Sequence, residues 1–414
     1  MEYENRVLTT SLAPPLQRSL VPGRSREAWR WIVSGPRAHP YTTIILVVGL
    51  ALRAALTPIA YGEDFRVWEL AARYTLAGVN IYRDHPPYPG GPYAYSPLFL
   101  YIELPFRWLA LRTGLSFTVL GKLPILAGDL LVAALIARNL ARRGRRDSTV
   151  ALGAALYFLN PLVLYNGAFS GRFDTLCVGL LLLALAFHHH EGDPFSLGAL
   201  GRIAYAWAFP ILYALAVAMK SYPIFLLPWL LTREPRGRKR LSIALVAVLG
   251  GLSLPYLLTS PARFVADILL YDAHKTPGHL SWQVILLGVL SPHAARLVSY
   301  LLLATFVVGL YHYRRLDLWT YRAVAILLFI LLSKVVIEQY FLWPLPFLIL
   351  DALERRSRAS WGLLLLLTAS GMLVNAHIRL FGESPWPIAL ALAAGIVAYL
   401  VSVTRRGRHG AVTV

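Results

Sequence analysis

The side chains of this chain best suited to chemistry are charged groups standing at the ends of long apolar runs. Glu63, Asp64, Arg66 and Glu69 follow the first run, Asn166, Arg172 and Asp174 the third, and Lys220 the fifth. Asp267, Asp272, His274, Lys275 and His279 share one later connection; Lys334, Glu338 and Gln339 come next, then His377, Arg379 and Glu383. In such company a carboxylate can take a proton from a hydroxyl, and a lysine or arginine can meet negative charge as it grows. Other chemistries lack their residues. The chain has no Walker-type phosphate loop, no Gly-x-Gly-x-x-Gly after a strand, no zinc spacing and no Gly-x-Ser-x-Gly elbow. Cys177 is the single cysteine, so no disulfide forms within the chain.

Each group also has a plainer role open to it. Asp64 could cap a helix, Arg172 and Asp174 could pair to close a tight turn, and Lys220 and Lys334 could anchor span ends by snorkelling. The tract His188-His189-His190 invites a metal, but adjacent histidines cannot share one helix face.

The elements that position these residues follow from composition. The chain is 57% hydrophobic and 15% charged, with mean hydropathy +0.56. A soluble domain carries about 25% charged residues, so this one belongs in a bilayer. A spanning helix needs about 20 apolar residues. About 12 stretches qualify, some of them short: 41–60, 116–140, 149–166, 173–190, 203–219, 222–232, 241–258, 293–312, 320–337, 339–353, 360–376 and 386–404. The expected fold is an all-α polytopic membrane protein, with an integral domain at 41–404 between a basic tail at 1–40 and a second tail at 405–414.

Arginine-rich connectors at 142–146, 233–240, 314–315, 355–358 and 405–408 fall on alternate connections and, with the first tail, hold more than half of the 40 basic residues. Alternation of this kind marks the cytoplasmic side. The net charge of +19 therefore reports topology rather than nucleic acid, and no nucleic-acid partner is expected. Residues 1–40 are polar, lack an apolar core and do not read as a cleavable signal. The polar clusters named above then face outward, on a first outer loop at 61–115 and a second at 259–292. Within the first, Asp64–Gly78 has the pattern of an amphipathic interfacial helix ending at Gly78, a Pro- and Gly-rich turn spans Pro86–Pro92, and Ser96–Arg112 reads as a second surface helix.

Several short blocks then become meaningful together. Gly62-Glu63-Asp64-Phe65-Arg66-Val67-Trp68, Asn80-Ile81-Tyr82 and Tyr95-Ser96-Pro97-Leu98 are followed by Gly121-Lys122, Asp129-Leu130-Leu131, Asn160-Pro161-Leu162 and Gly171-Arg172-Phe173-Asp174. Met219-Lys220-Ser221-Tyr222-Pro223, Ser333-Lys334-Val335 and Gln339-Tyr340-Phe341-Leu342-Trp343 complete the series. In this order the blocks resemble the type C glycosyltransferases that use polyprenyl-phosphate sugars, in particular those adding the first mannose of the glycosylphosphatidylinositol anchor and their prokaryotic relatives.

The resemblance implies sugar transfer, typically of mannose, on the outer or lumenal face, to a glycan or glycolipid acceptor. It implies a lipid-linked polyprenyl (dolichyl) phosphate donor drawn from among the membrane lipids, and it leaves room for a divalent metal and a small accessory membrane subunit. The membrane would be the cell membrane in a prokaryote and the endoplasmic reticulum otherwise. Asp64 matches the second acid of the family's Asp-x-Asp, whereas Gly62 replaces the first and Glu63 stands between them. Asp64 is thus the expected catalytic base. Lys220, Lys275 and Lys334, with Arg172 ranked behind them, are expected to meet the leaving phosphate, with His274 donating to it. Asp174 would orient the sugar or Arg172, and Glu63, Glu338 and Gln339 would bind substrate. A transporter or lipid-sugar flippase shares the span layout, but would place its charges near mid-membrane and show two similar halves.

Overall fold

The computed structural model describes residues 39–89, 92–188, 199–233, 237–269, 278, 280–287, 289–381 and 385–411; helices joined by turns and irregular segments make up these, with no strand among them. Every one of the twelve apolar stretches contains helix. Phe117–Arg142, Arg238–Thr259, His293–Tyr313 and Trp386–Arg406 are long and apolar enough to cross a bilayer alone. Pro40–Leu56, Asp174–His188, Ile203–Met219, Leu318–Leu332 and Arg358–Val374 are apolar but shorter. The architecture is that of an all-α membrane protein, in which several of the apolar stretches are short or broken.

The breaks have local causes. Pro161 cannot continue the helix ending at Phe158, and the Asn160 side chain caps the next turn by accepting from the Leu162 amide at 2.9 Å. A π-helical turn at Tyr165–Phe169 follows, and the two helical pieces meet at 45°. The stretch at 320–337 likewise ends early, at Leu332. Extended backbone at Ser333–Ile337 then leads into a 3-10 turn at Glu338–Leu342. Such irregular backbone survives at membrane depth only where protein or a cavity surrounds it. Both breaks lie on the side carrying the polar clusters.

The segment 61–115, expected as the first outer loop, is helical where its pattern predicts helix. Helix Glu63–Leu76 buries Phe65, Val67, Trp68, Ala71 and Ala72 on one face, and Gly78 takes the left-handed conformation just beyond it. Helix Pro97–Thr113 ends on Gly114, also left-handed. Gly90 and Gly91 of the expected turn lie outside the described residues, as does 270–277 in the second outer loop. The segments expected as the two outer loops clasp each other. His85 Nε2 lies 2.8 Å from Asp267 Oδ2, Asn80 donates to Thr259 Oγ1 at 2.8 Å, and Tyr82 packs against both Tyr256 and Phe264. Asp267 thus serves to join the loops.

One acid in this layer stands apart. Both carboxylate oxygens of Glu103 are buried and lack a hydrogen-bond partner among the described residues. Burial first, and the nearby Glu69 second, push its carboxyl well above the ordinary glutamate value of 4.5. The folded chain therefore keeps a proton that the unfolded chain releases above that value, so Glu103 withdraws stability as the pH rises from about 4.5. A Glu103→Gln protein is expected to gain several degrees in Tm relative to the parent at about pH 8 and little at about pH 5. Melting curves at the two pH values check this; an equal difference at both would contradict it.

Candidate active site

Four separate parts of the chain build the site, and one buried lysine binds two of them. Lys122 precedes helix Leu123–Arg142 and is 0% exposed. Its ammonium donates to the carbonyls of Thr57 at 2.9 Å, Ala60 at 2.5 Å, Ala168 at 2.9 Å and Phe169 at 2.8 Å, three protons shared among four acceptors. The first two carbonyls belong to the segment leading to Asp64. The other two belong to the π turn leading to Arg172. The Gly62 amide adds a bond to the Ser170 carbonyl at 2.8 Å, so the two strips of backbone run together. Gly171 is required here: its φ is +78°, and a Cβ would fall 2.6 Å from the Phe65 ring and 3.0 Å from Lys122 Cε.

A second buried pair braces the same turn from below. Arg53 Nε contacts Asp129 Oδ2 at 2.8 Å, both side chains essentially unexposed, and Arg53 Nη1 donates to the carbonyls of Gly49 and Phe158. A Cβ on Gly167 in the π turn would lie 2.7 Å from Asp129 Oδ2, so the carboxylate supports that turn directly.

On this base the sequence-predicted residues converge. Arg172 Nε stands 3.3 Å from Asp64 Oδ2, an ion pair without hydrogen-bond alignment, while its Nη1 donates to Glu338 Oε1 at 2.5 Å and to Asn166 Oδ1 at 3.0 Å. Burial would push the Arg172 guanidinium down, but the carboxylates of Glu338 and Asp64 outweigh it and hold the group above its ordinary value. Arg172 is thus a fixed positive charge between two acids. Asp64 is the more open of them, with its side chain 32% exposed. Gly62, not Asp64, occupies the N-cap of Glu63–Leu76, so Asp64 sits inside the first turn and its side chain is not the cap.

Asp174 and Lys220 form the other half. Lys220 Nζ lies 2.7 Å from Asp174 Oδ1, which also accepts from Trp343 Nε1 at 2.6 Å. The ammonium faces the rings of Phe173, Tyr340 and Trp343 at 5.6, 5.5 and 5.2 Å. Arg172 and Asp174 therefore hold different partners, so the tight-turn pair allowed by their spacing does not form. Among the described residues the cation beside Asp64 is Arg172, and Lys220 pairs with Asp174.

The remaining candidates are more scattered. Glu63 is exposed. Gln339 is buried, and its Oε1 has no partner among the described residues. Lys334 lies on the extended segment just before Glu338, where its carbonyl accepts from the Gly278 amide. His274, Lys275, Asp272 and His279 fall outside the described residues, as do Glu383, His189 and His190. The described residues contain no group of three His, Cys, Asp or Glu placed to hold a metal. Between Asp64 and Glu338, where a cation bridging the two would sit, stands the Arg172 guanidinium. This donor set does not fit a resident divalent ion.

Sequence reasoning missed Arg53, although a charge inside an apolar run is itself a signal. Lys122, Asp129, Tyr340 and Trp343 stood in the quoted blocks without a role. Asn166 was placed in the outer cluster but not tied to Arg172.

Comparison with known proteins gives matches of sequence and of fold. The family model for the N-terminal domain of alpha-(1->6)-mannopyranosyltransferases matches residues 89–233. GPI mannosyltransferase 1 of Gibberella zeae is 31% identical over 44% of this chain and 41% of its own length. The corresponding protein of Aspergillus fumigatus is 32% identical over 34% and 32%. The alignments thus span less than half the length of these curated relatives. Among solved structures, ArnT from Cupriavidus metallidurans matches with a TM-score of 0.52 and 15% identity in the apo state, over 88% of this chain and 76% of that one. The form bound to undecaprenyl phosphate matches equally, at 16% identity. The chain therefore shares the ArnT fold and, in sequence, resembles the type C mannosyltransferases.

Proposed function

We propose that this chain transfers a mannosyl residue from a polyprenyl-phosphate donor to a hydroxyl of a glycan or glycolipid acceptor at the outer face of its membrane. The observation that carries the reading is the Asp64 carboxylate, partly open at the end of a span and held by Arg172, on a fold shared with a protein crystallised with undecaprenyl phosphate. The acceptor hydroxyl attacks the anomeric carbon as Asp64 takes its proton, and the bond from that carbon to the phosphate oxygen breaks on the opposite side. The electron pair leaves with the polyprenyl phosphate, and configuration inverts.

Arg172 orients Asp64 and, with Lys334, would meet the growing phosphate charge, a role to which the sequence also assigns Lys275 and His274. The Asp174–Lys220 pair, ringed by Phe173, Tyr340 and Trp343, offers an aromatic wall and a fixed dipole for the sugar. Glu338 and Gln339 present acceptors for sugar hydroxyls. No step needs a metal held by these side chains.

The test is a panel of labelled prenyl-phosphate sugars offered to the purified protein in liposomes with glycolipid acceptors. Consumption of the mannosyl donor, with inverted product, is expected. Passage of an intact lipid-linked sugar across the bilayer without chemical turnover would replace this reading by transport.

A further inference from the structure

The helices that carry the outer site enclose a second cavity at their other ends. It measures about 370 Å³ and is lined by Arg138, Asn139, Arg142, Arg143, Trp319 and Arg322, with leucine and alanine side chains between them. Helix Leu123–Arg142 runs from Lys122 at the outer site to Arg142 at this cavity, about 30 Å at 1.5 Å per residue. The arginine-rich connectors put this end in the cytoplasm. Two of their arginines are paired: Arg143 with Glu354 at 2.8 Å, and Arg355 with Asp317 at 3.1 Å.

The cavity itself holds buried donors without a hydrogen-bond partner among the described residues. Arg322 is 1% exposed and donates its Nε to the Leu318 carbonyl, yet its Nη2 has no partner among the described residues. The indole nitrogen of Trp319 is also buried without a partner there, and its ring lies 4.1 Å from the Arg322 guanidinium and 4.9 Å from that of Arg143. Arg138 and Arg142 make no hydrogen bond or ion pair among the described residues. A buried guanidinium with an unused donor is costly unless an anion completes it. Guanidinium forks and an indole N–H match phosphate oxygens, and basic pockets between helices on the cytoplasmic side take anionic headgroups.

We propose that this cavity binds a phosphate group at the cytoplasmic face, supplied either by the headgroup of an anionic lipid or by a soluble phosphate compound. Arg322 and Trp319 form its floor, and Arg138 and Arg142 its charged mouth. The site is independent of sugar transfer at the other face.

The test uses the full chain in detergent, titrated in one arm with inorganic phosphate and in the other with phosphatidylglycerol against phosphatidylcholine. Tm and native mass spectrometry of retained lipid are the readouts. A ligand near 100 times its Kd should raise Tm by several degrees, and R138A/R142A should weaken binding at least about tenfold while the unliganded Tm stays close to that of the parent. Stabilisation and retention by phosphatidylglycerol, lost in the double variant, assign the lipid headgroup; stabilisation by inorganic phosphate alone assigns a soluble source. Equal behaviour of the two lipids with no effect of phosphate, or undiminished binding by R138A/R142A, overturns the proposal.

Discussion

Asp64→Asn is expected to lower transfer by about 10³-fold or more while the protein still folds. General-base assistance contributes about 10² to 10⁴ in rate. Asparagine keeps the shape of the side chain but cannot take the acceptor proton, and its amide oxygen can still face Arg172. Little stability is at stake, because Asp64 is partly exposed and is not the helix cap. A change of about 1 kcal/mol or less is expected from the weakened ion pair. Single-turnover transfer from a labelled mannosyl donor, measured beside a melting curve, separates the two effects. Full activity in the folded variant removes Asp64 as the base.

The contrast between what the sequence disclosed and what it concealed follows from the range of the forces involved. The apolar helices and the two helices of 61–115 were legible because hydrophobic periodicity is local. Gly78 and Gly114 mark the surface-helix ends by a backbone conformation that side chains disfavour. The same local reading failed at Asn160-Pro161 and at Ser333-Lys334, where an apolar run continues although the helix stops. Hydropathy averages over a break that depends on one missing N–H or on surrounding protein. Asp64, Arg172 and Glu338 could each be named, since charges at span ends are few. Their pairing could not be read, because it joins parts of the chain up to 166 residues apart. The pairing of Lys220 with Asp174, 46 residues apart, was hidden for the same reason. The role of Lys122 was hidden because the four groups it binds are backbone carbonyls, which carry no sequence signature, and that of Arg53 because its partner Asp129 lies 76 residues away.

That backbone satisfaction is what makes Lys122 the more informative residue to change. Lys122→Met keeps much of the side-chain length but removes every proton shared among the carbonyls of Thr57, Ala60, Ala168 and Phe169. Hydrogen bonds to a charged group contribute about 1.5 to 3 kcal/mol each, and loss of a buried cation on which several carbonyls converge should cost about 3 to 5 kcal/mol in all. The variant should therefore melt well below the parent. A purely structural role would end there, with each folded molecule still fully active.

The geometry requires more, because the four carbonyls belong to the two backbone strips that deliver Asp64 and Arg172. When they separate, the carboxylate moves relative to the sugar, and a displacement of about 1 Å costs on the order of 10² in rate. Lys122→Met is thus expected to lose about 10- to 100-fold in kcat per folded molecule, measured well below its Tm, with KM for the donor little changed. Full kcat in the folded fraction would make Lys122 a fastening of the fold alone. It would also show that the Gly62–Ser170 hydrogen bond suffices to keep the two strips in register.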